Sequence, residues 1–82
     1  MNTEGEIEHL KVEITRLGAP NAEGKTSVKF GKLVRDERVE NIFEALVGTL
    51  RAAKRKKVVA YDSEMLLQGV HDDVDIILLT GP

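Results

Sequence analysis

An apolar face at helical spacing runs straight into four consecutive bases, and strand-forming residues follow at once. Ile42, Phe43, Leu46, Val47, Leu50 and Ala53 make the face, Lys54-Arg55-Lys56-Lys57 close it, and Val58-Val59-Ala60-Tyr61 read as a strand. Recurrence at three and four residues marks an amphipathic helix, whereas a short β-branched run marks a strand. A turn at Gln68–Asp73 and a second apolar run, Val74–Leu79, complete the segment. Helix, basic terminus, strand, acidic turn and strand in direct succession suggest a small α+β recognition module with a charged seam.

The first half supplies the remaining elements. Thr3-Glu4-Gly5-Glu6 fits a capping box, and Ile7, Leu10, Ile14 and Leu17 then form one stripe, so a first helix is predicted over 4–17. Gly18 suits a left-handed residue after the helix, and Pro20 prevents its resumption. Asn21–Gly24 reads as a polar turn, Lys25–Lys29 as a short strand, and Phe30–Arg35 as a short second helix with Phe30, Leu33 and Val34 inward. Asp36-Glu37-Arg38 reads as a polar break. Asn41 then serves as N-cap, with Glu44 at N3, for a third helix over 42–56. Gly48 inside that helix costs about 1 kcal/mol against alanine, which a close helix crossing would explain.

Glu64–Gln68 either extends a hairpin or makes a helical turn, and the unalternating Ile76-Ile77-Leu78-Leu79 points to a strand buried on both faces. The order helix-strand-helix-helix-strand-strand is that of a winged-helix-like domain, with three helices packed on a small antiparallel sheet. One domain over 1–82 accounts for the whole sequence.

Eighty-two residues, 41% hydrophobic and 32% charged, leave little room for both a core and a deep cavity. Without cysteine there is no disulfide framework, zinc-thiolate site or thiol nucleophile. The acidic, polar start and the lack of a long apolar run lead us to expect a cytoplasmic protein, monomeric and without membrane attachment. The net charge of −2 conceals strong segregation. Residues 1–24 carry two bases and five acids, residues 25–57 ten bases and four acids, and residues 58–82 no base and five acids. The blocks therefore run −3, +6 and −5. Such a molecule is dipolar and can orient charged partners. Pairing of basic helices with an acidic hairpin would be the structural use of the same pattern.

The candidate partner-binding residues are Arg51, Lys54, Arg55, Lys56 and Lys57. They form either a contact for an acidic partner or a solvated helix end that complements the helix dipole. His71-Asp72-Asp73 with Asp75 has metal-ligand residue types, but its spacing favours turn formation, so no metal or cofactor is expected. Ser63, His71 and Asp72 contain the letters of a hydrolase triad without a nucleophile elbow, so no catalytic residue is assigned. A third helix in a winged-helix order raises the alternative of nucleic-acid binding. Against it, the helix offers Asn41, Glu44 and Thr49 where bases are usually read, and Asp72, Asp73 and Asp75 would repel phosphates.

Long strings of this chain resemble the Costars family. They are Ser27-Val28-Lys29-Phe30-Gly31 with Leu33, the run from Phe43 to Lys57, Tyr61, and Glu64 through Gln68-Gly69-Val70-His71-Asp72-Asp73-Val74. The resemblance implies a winged-helix-like fold, no enzymatic activity, and a role in actin-cytoskeleton dynamics and cell motility. It implies actin itself, or an actin regulator such as cofilin, as partner. Actin's surface is acidic, which makes the Arg51–Lys57 end the physical candidate for contact.

Overall fold

The structure, a computed structural model, describes residues 3–80. Four helices pack on a four-stranded antiparallel sheet: α1 (Thr3–Leu17), β1 (Ala19–Pro20), β2 (Thr26–Lys29), α2 (Phe30–Val34), α3 (Glu37–Ile42), α4 (Leu46–Arg55), β3 (Val59–Ala60) and β4 (Asp75–Leu78). The strand order is β1-β2-β4-β3. The α+β class and the antiparallel sheet agree with the sequence reading, with one further helix and one further strand. The Thr3 side-chain cap lies outside the described residues.

Helix α1 is the centre of the packing. Its stripe buries Ile7, Leu10 and Ile14 against α4, α2, β2 and β4. Gly18 then turns the chain back, though not in the left-handed form expected of it. A β-carbon there would lie 2.6 Å from the Ser27 carbonyl oxygen and 2.7 Å from that of Ile14, so glycine is required by close backbone approach. The next two residues pair with β2 (Ala19↔Ser27, Pro20↔Thr26). Proline is tolerated there because β1 is an edge strand. The Asn21 side chain closes the turn, accepting from the amides of Glu23 and Lys25.

Strand β2 runs antiparallel to β4, Val28 opposite Ile76 and Lys29 opposite Asp75, and β4 pairs on its other side with β3. β4 alternates after all: Ile76 and Leu78 are buried, Ile77 is partly covered and Leu79 is exposed. One face looks to the helices and the other to solvent, so the expected two-sided burial does not occur. The acidic turn docks on the start of α2. Gly31 donates its amide to the Asp72 carbonyl at 3.0 Å, and a β-carbon on Gly31 would meet the Asp72 β-carbon at 2.7 Å.

Two boundaries differ from expectation. Asp36 does not break the chain but caps α3, its carboxylate accepting from the Val39 amide at 3.1 Å. Asn41 lies in the last turn of α3 rather than capping the long helix, and Phe43–Ala45 link the two. The apolar spacing from Ile42 to Ala53 runs across that link, because Ile42 and Phe43 pack from α3 and its end, not from α4. Gly48 is exposed, and a β-carbon there would meet only that of Ala45, at 3.8 Å. No crossing occurs at Gly48. The residue facing α1 is Ala53, fully buried on the same face as Thr49 and Lys56, both of which reach α1 side chains.

One buried charge ties the helices together. Glu13 is 1% exposed on α1, and its Oε1 accepts from Arg16 Nε at 2.9 Å and lies 3.4 Å from Arg38 Nε in an ion pair. Arg16 also reaches the Asp36 carboxylate at 2.6 Å, so the residue that caps α3 is held from α1. The Arg16 guanidinium, helped by the Val39 amide and opposed by partial burial, holds the Asp36 carboxyl below its ordinary range.

Substitution of the glycines separates open from crowded sites. Gly48→Ala should stabilise the protein by about 0.5–1 kcal/mol through helix propensity. Gly31→Ala should destabilise it by about 1–3 kcal/mol through overpacking against Asp72. Denaturant melts of both variants check this. Acid should also weaken the fold. Because the folded-state pKa of Asp36 is depressed, its contribution is complete above the ordinary value of 3.8 and is lost as pH falls through the lower folded value. Asp36→Asn keeps a capping oxygen but no charge, so its stability should decline less steeply than the parent's below about pH 4. Urea melts across pH 2–6 read the difference.

Candidate functional site

The basic block does not form one patch. Because α4 ends at Arg55, its bases leave the helix in different directions. Lys56 turns toward α1, where its Nζ lies 3.9 Å from the Glu4 carboxylate, an exposed pair of little energetic weight. Lys54 lies over the Tyr61 ring, 4.3 Å from its centroid, and donates to the Ser63 carbonyl at 3.2 Å. It therefore joins α4 to the chain leaving β3, and part of its charge serves the fold. Arg51, Arg55 and Lys57 are exposed and make no ion pair among the described residues.

Lys57 is the unusual member. Its φ is +60°, the left-handed region, and among the described residues no other non-glycine has a positive φ. The hydrogen bonds explain why the backbone goes there. The Lys57 amide donates to the Lys54 carbonyl at 3.0 Å and the Val58 amide to the Ala53 carbonyl at 2.9 Å. This is the double bond of a Schellman helix end, whose left-handed position is usually glycine. Lysine there costs about 1–2 kcal/mol of backbone strain. The chain keeps a positive charge where glycine would suit the geometry better.

Arg51, Lys54 and Arg55 line a depression of about 140 Å³ with Tyr61, Ser63 and Glu64. A second, of about 130 Å³, adjoins it through Arg51, Tyr61 and Glu64, and is completed by Val47 and Met65–Leu67. Both are smaller than the roughly 300–1,000 Å³ of small-molecule sites. Burial raises the Tyr61 phenol's pKa against the opposing charge of Arg51. A shallower hollow of about 440 Å³ lies beside β3 and β4, bounded by Ala60, Tyr61, Asp62, Val74, Asp75 and Ile77.

The other sequence candidates serve the fold locally. Asp72 accepts from the Gly69 amide at 2.8 Å and pairs with Arg35 at 2.6 Å, and together these hold its carboxyl below the ordinary range, the amide contributing most. Nδ1 of His71 accepts from the Leu67 amide, and the Ser63 hydroxyl donates to the Met65 carbonyl. Ser63, His71 and Asp72 are thus each engaged with their own turn. No group of three metal-ligating side chains occurs among the described residues. Lys29–Asp75 and Arg35–Asp72 show that part of the charge segregation does pair basic elements with the acidic hairpin.

The sequence reading missed Met65 and Leu67 as surface components, and Val47 and Tyr61 as lining of these depressions. For Met65 and Leu67 the signal was a surplus of apolar letters in 64–67, where Leu66 alone is buried.

Fold and surface together define a small α+β domain that presents a basic, partly apolar face. The Costars family model matches residues 2–79. Costars family protein ABRACL of Homo sapiens is 66% identical over 79 residues, 96% of this chain and 98% of that protein. A Costars family protein of Picea sitchensis is 61% identical over 82 residues, covering 100% of this chain and 86% of that one. The solution structure of human HSPC280 protein aligns with a TM-score of 0.89 at 65% identity, over 98% of this chain and 94% of that one. The chain belongs to the Costars family.

Lys57→Gly tests the strain at the end of α4. It should raise stability by about 1 kcal/mol, because glycine adopts the left-handed conformation freely. Paired denaturant melts, with Lys56→Gly as the control that gains nothing, measure it.

Proposed function

We propose that this chain is a non-enzymatic, cytoplasmic regulator of actin dynamics and cell motility, monomeric and associated with the cytoskeleton. It acts by binding actin, or an actin-regulatory protein such as cofilin, through the basic end of α4. Family membership supports the actin context, since the relatives' name ABRACL stands for an actin-binding, Rho-activating C-terminal-like protein. The observation that carries the contact surface is Lys57, a lysine kept in left-handed backbone beside two exposed, unpaired arginines. Strain retained at a surface charge is a signature of use rather than of stability.

The structure refines which bases a binding test should change. Lys54 supports Tyr61 and Ser63, so its removal would perturb the fold, whereas Arg51, Arg55 and Lys57 make no ion pair among the described residues. The triple variant Arg51→Glu/Arg55→Glu/Lys57→Glu should keep its melting behaviour. It should also lose about tenfold or more in affinity for filaments or cofilin, equivalent to at least about 1.4 kcal/mol. Filament co-sedimentation, cofilin titration and duplex-DNA titration on one preparation decide the matter. Undiminished binding by the variant removes this surface, and duplex binding without actin or cofilin association overturns the proposal in favour of nucleic acid.

A further inference from the structure

The face of α4 turned away from α1 is walled by the chain that follows β3. Val47, Arg51 and Arg55 recur at four-residue spacing and so share that face, with Lys54 beside them. Opposite runs the irregular segment from Tyr61 to Leu67, and the two adjoining depressions lie between these walls. The trough is apolar at one end and basic at the other. At the apolar end Met65 is 59% and Leu67 46% exposed, beside Val47. At the basic end Arg51, Lys54 and Arg55 outnumber Glu64 by three to one.

From this we infer that the trough between α4 and residues 61–67 is a docking groove for an acidic, amphipathic segment of a partner protein. Charge complementarity selects the occupant. Elsewhere Lys29 pairs with Asp75 and Arg35 with Asp72, while Arg51 and Arg55 make no ion pair among the described residues. The depressions have the scale of single side chains, which suits a peptide inserting one apolar residue and presenting carboxylates beside it. Val47 and Arg55 are eight positions apart, or about 12 Å along the helix. The occupant therefore carries its acidic group about two helical turns from its apolar anchor. Tyr61, beneath the Lys54 ammonium, lines both depressions. This inference rests on the proposed function and deepens it, dividing the basic block into bases that line the groove (Arg51, Lys54, Arg55) and Lys56, which faces α1.

The test uses the full chain, labelled with nitrogen-15, and a synthetic helical peptide with leucines at one end of a face and glutamates two turns away. Control peptides replace the glutamates by lysine or the leucines by serine, and a short DNA duplex is a further control. The glutamate–leucine peptide should bind saturably, with amide shifts concentrated at Val47, Arg51, Tyr61, Met65 and Leu67. Arg51→Ala with Arg55→Ala, or Met65→Ser with Leu67→Ser, should each lower its affinity about tenfold without changing the melting temperature. Shifts centred elsewhere, equal binding of a control peptide or the duplex, absence of binding, or self-association of the chain at the same residues would overturn the groove. The same variants in the filament and cofilin assays separate the two ideas. If actin or cofilin binds the Met65→Ser/Leu67→Ser protein as well as the parent, the groove fails and the proposed function stands. If the peptide docks but neither actin nor cofilin associates, the groove stands and the proposed function fails.

Discussion

A buried carboxylate on α1 organises this domain. Glu13 is covered together with Leu10 and Ile14, and a charge in that position is tolerable only when paired and hydrogen-bonded. Arg16 and Arg38 meet that demand, and Arg16 also holds Asp36, the cap of α3. Removing Arg16 would leave Asp36 without its ion-pair partner, and removing Glu13 would leave Arg38 without one, so this network helps to fix the orientation of α3 on α1. Thr49 extends the same logic to α4, its one hydroxyl proton shared between the Ala45 carbonyl at 3.2 Å and the Glu6 carboxylate at 3.4 Å. The apolar stripe supplies most of the packing energy, while these polar links select one arrangement of helices.

The surface of α4 is a consequence of that arrangement. Once Thr49, Ala53 and Lys56 face α1, helical geometry turns Val47, Arg51 and Arg55 outward. The chain leaving β3 cannot cover them completely. It crosses as irregular backbone, pinned by Lys54 on Tyr61 and by the His71 ring on the Leu67 amide, and only Leu66 reaches the core. Arginine, methionine and leucine are thus left side by side at the surface. The left-handed Lys57 at the head of the turn adds a charge at a position that stability alone would give to glycine. The geometry gives this face a shape and a sign.

Local pattern made much of this legible. The α1 stripe, the Phe30 turn of helix and the strands near 26–29 and 75–78 follow from periodicity and turn chemistry, which act over a few residues. The misreadings share one cause. Asp36 reads as a break but caps α3, and Asn41 reads as a cap but lies in the last turn of α3, because both residue types serve caps and turns and only the neighbouring helix decides between them. Gly18 and Gly48 were assigned by position along a helix, whereas what requires a glycine is the atom across from it. Ser27 crowds the first, and nothing but Ala45 approaches the second. Residues 64–67 read as regular structure because apolar letters do not reveal whether they face a core or a groove.

By itself, the sequence determined the class of fold, the family, and the presence of a basic block at the end of its longest apolar helix run. These depend on composition, spacing and unbroken strings of residues. Tertiary structure alone decided that Glu13 is buried and paired, that Gly31 and Gly18 are the crowded glycines, and that the bases part company at Arg55. It also decided that Val47, Met65 and Leu67 join Arg51 on one face. Each of those facts concerns two segments brought together from distant parts of the chain, and one-dimensional spacing carries no record of which side chain lies opposite.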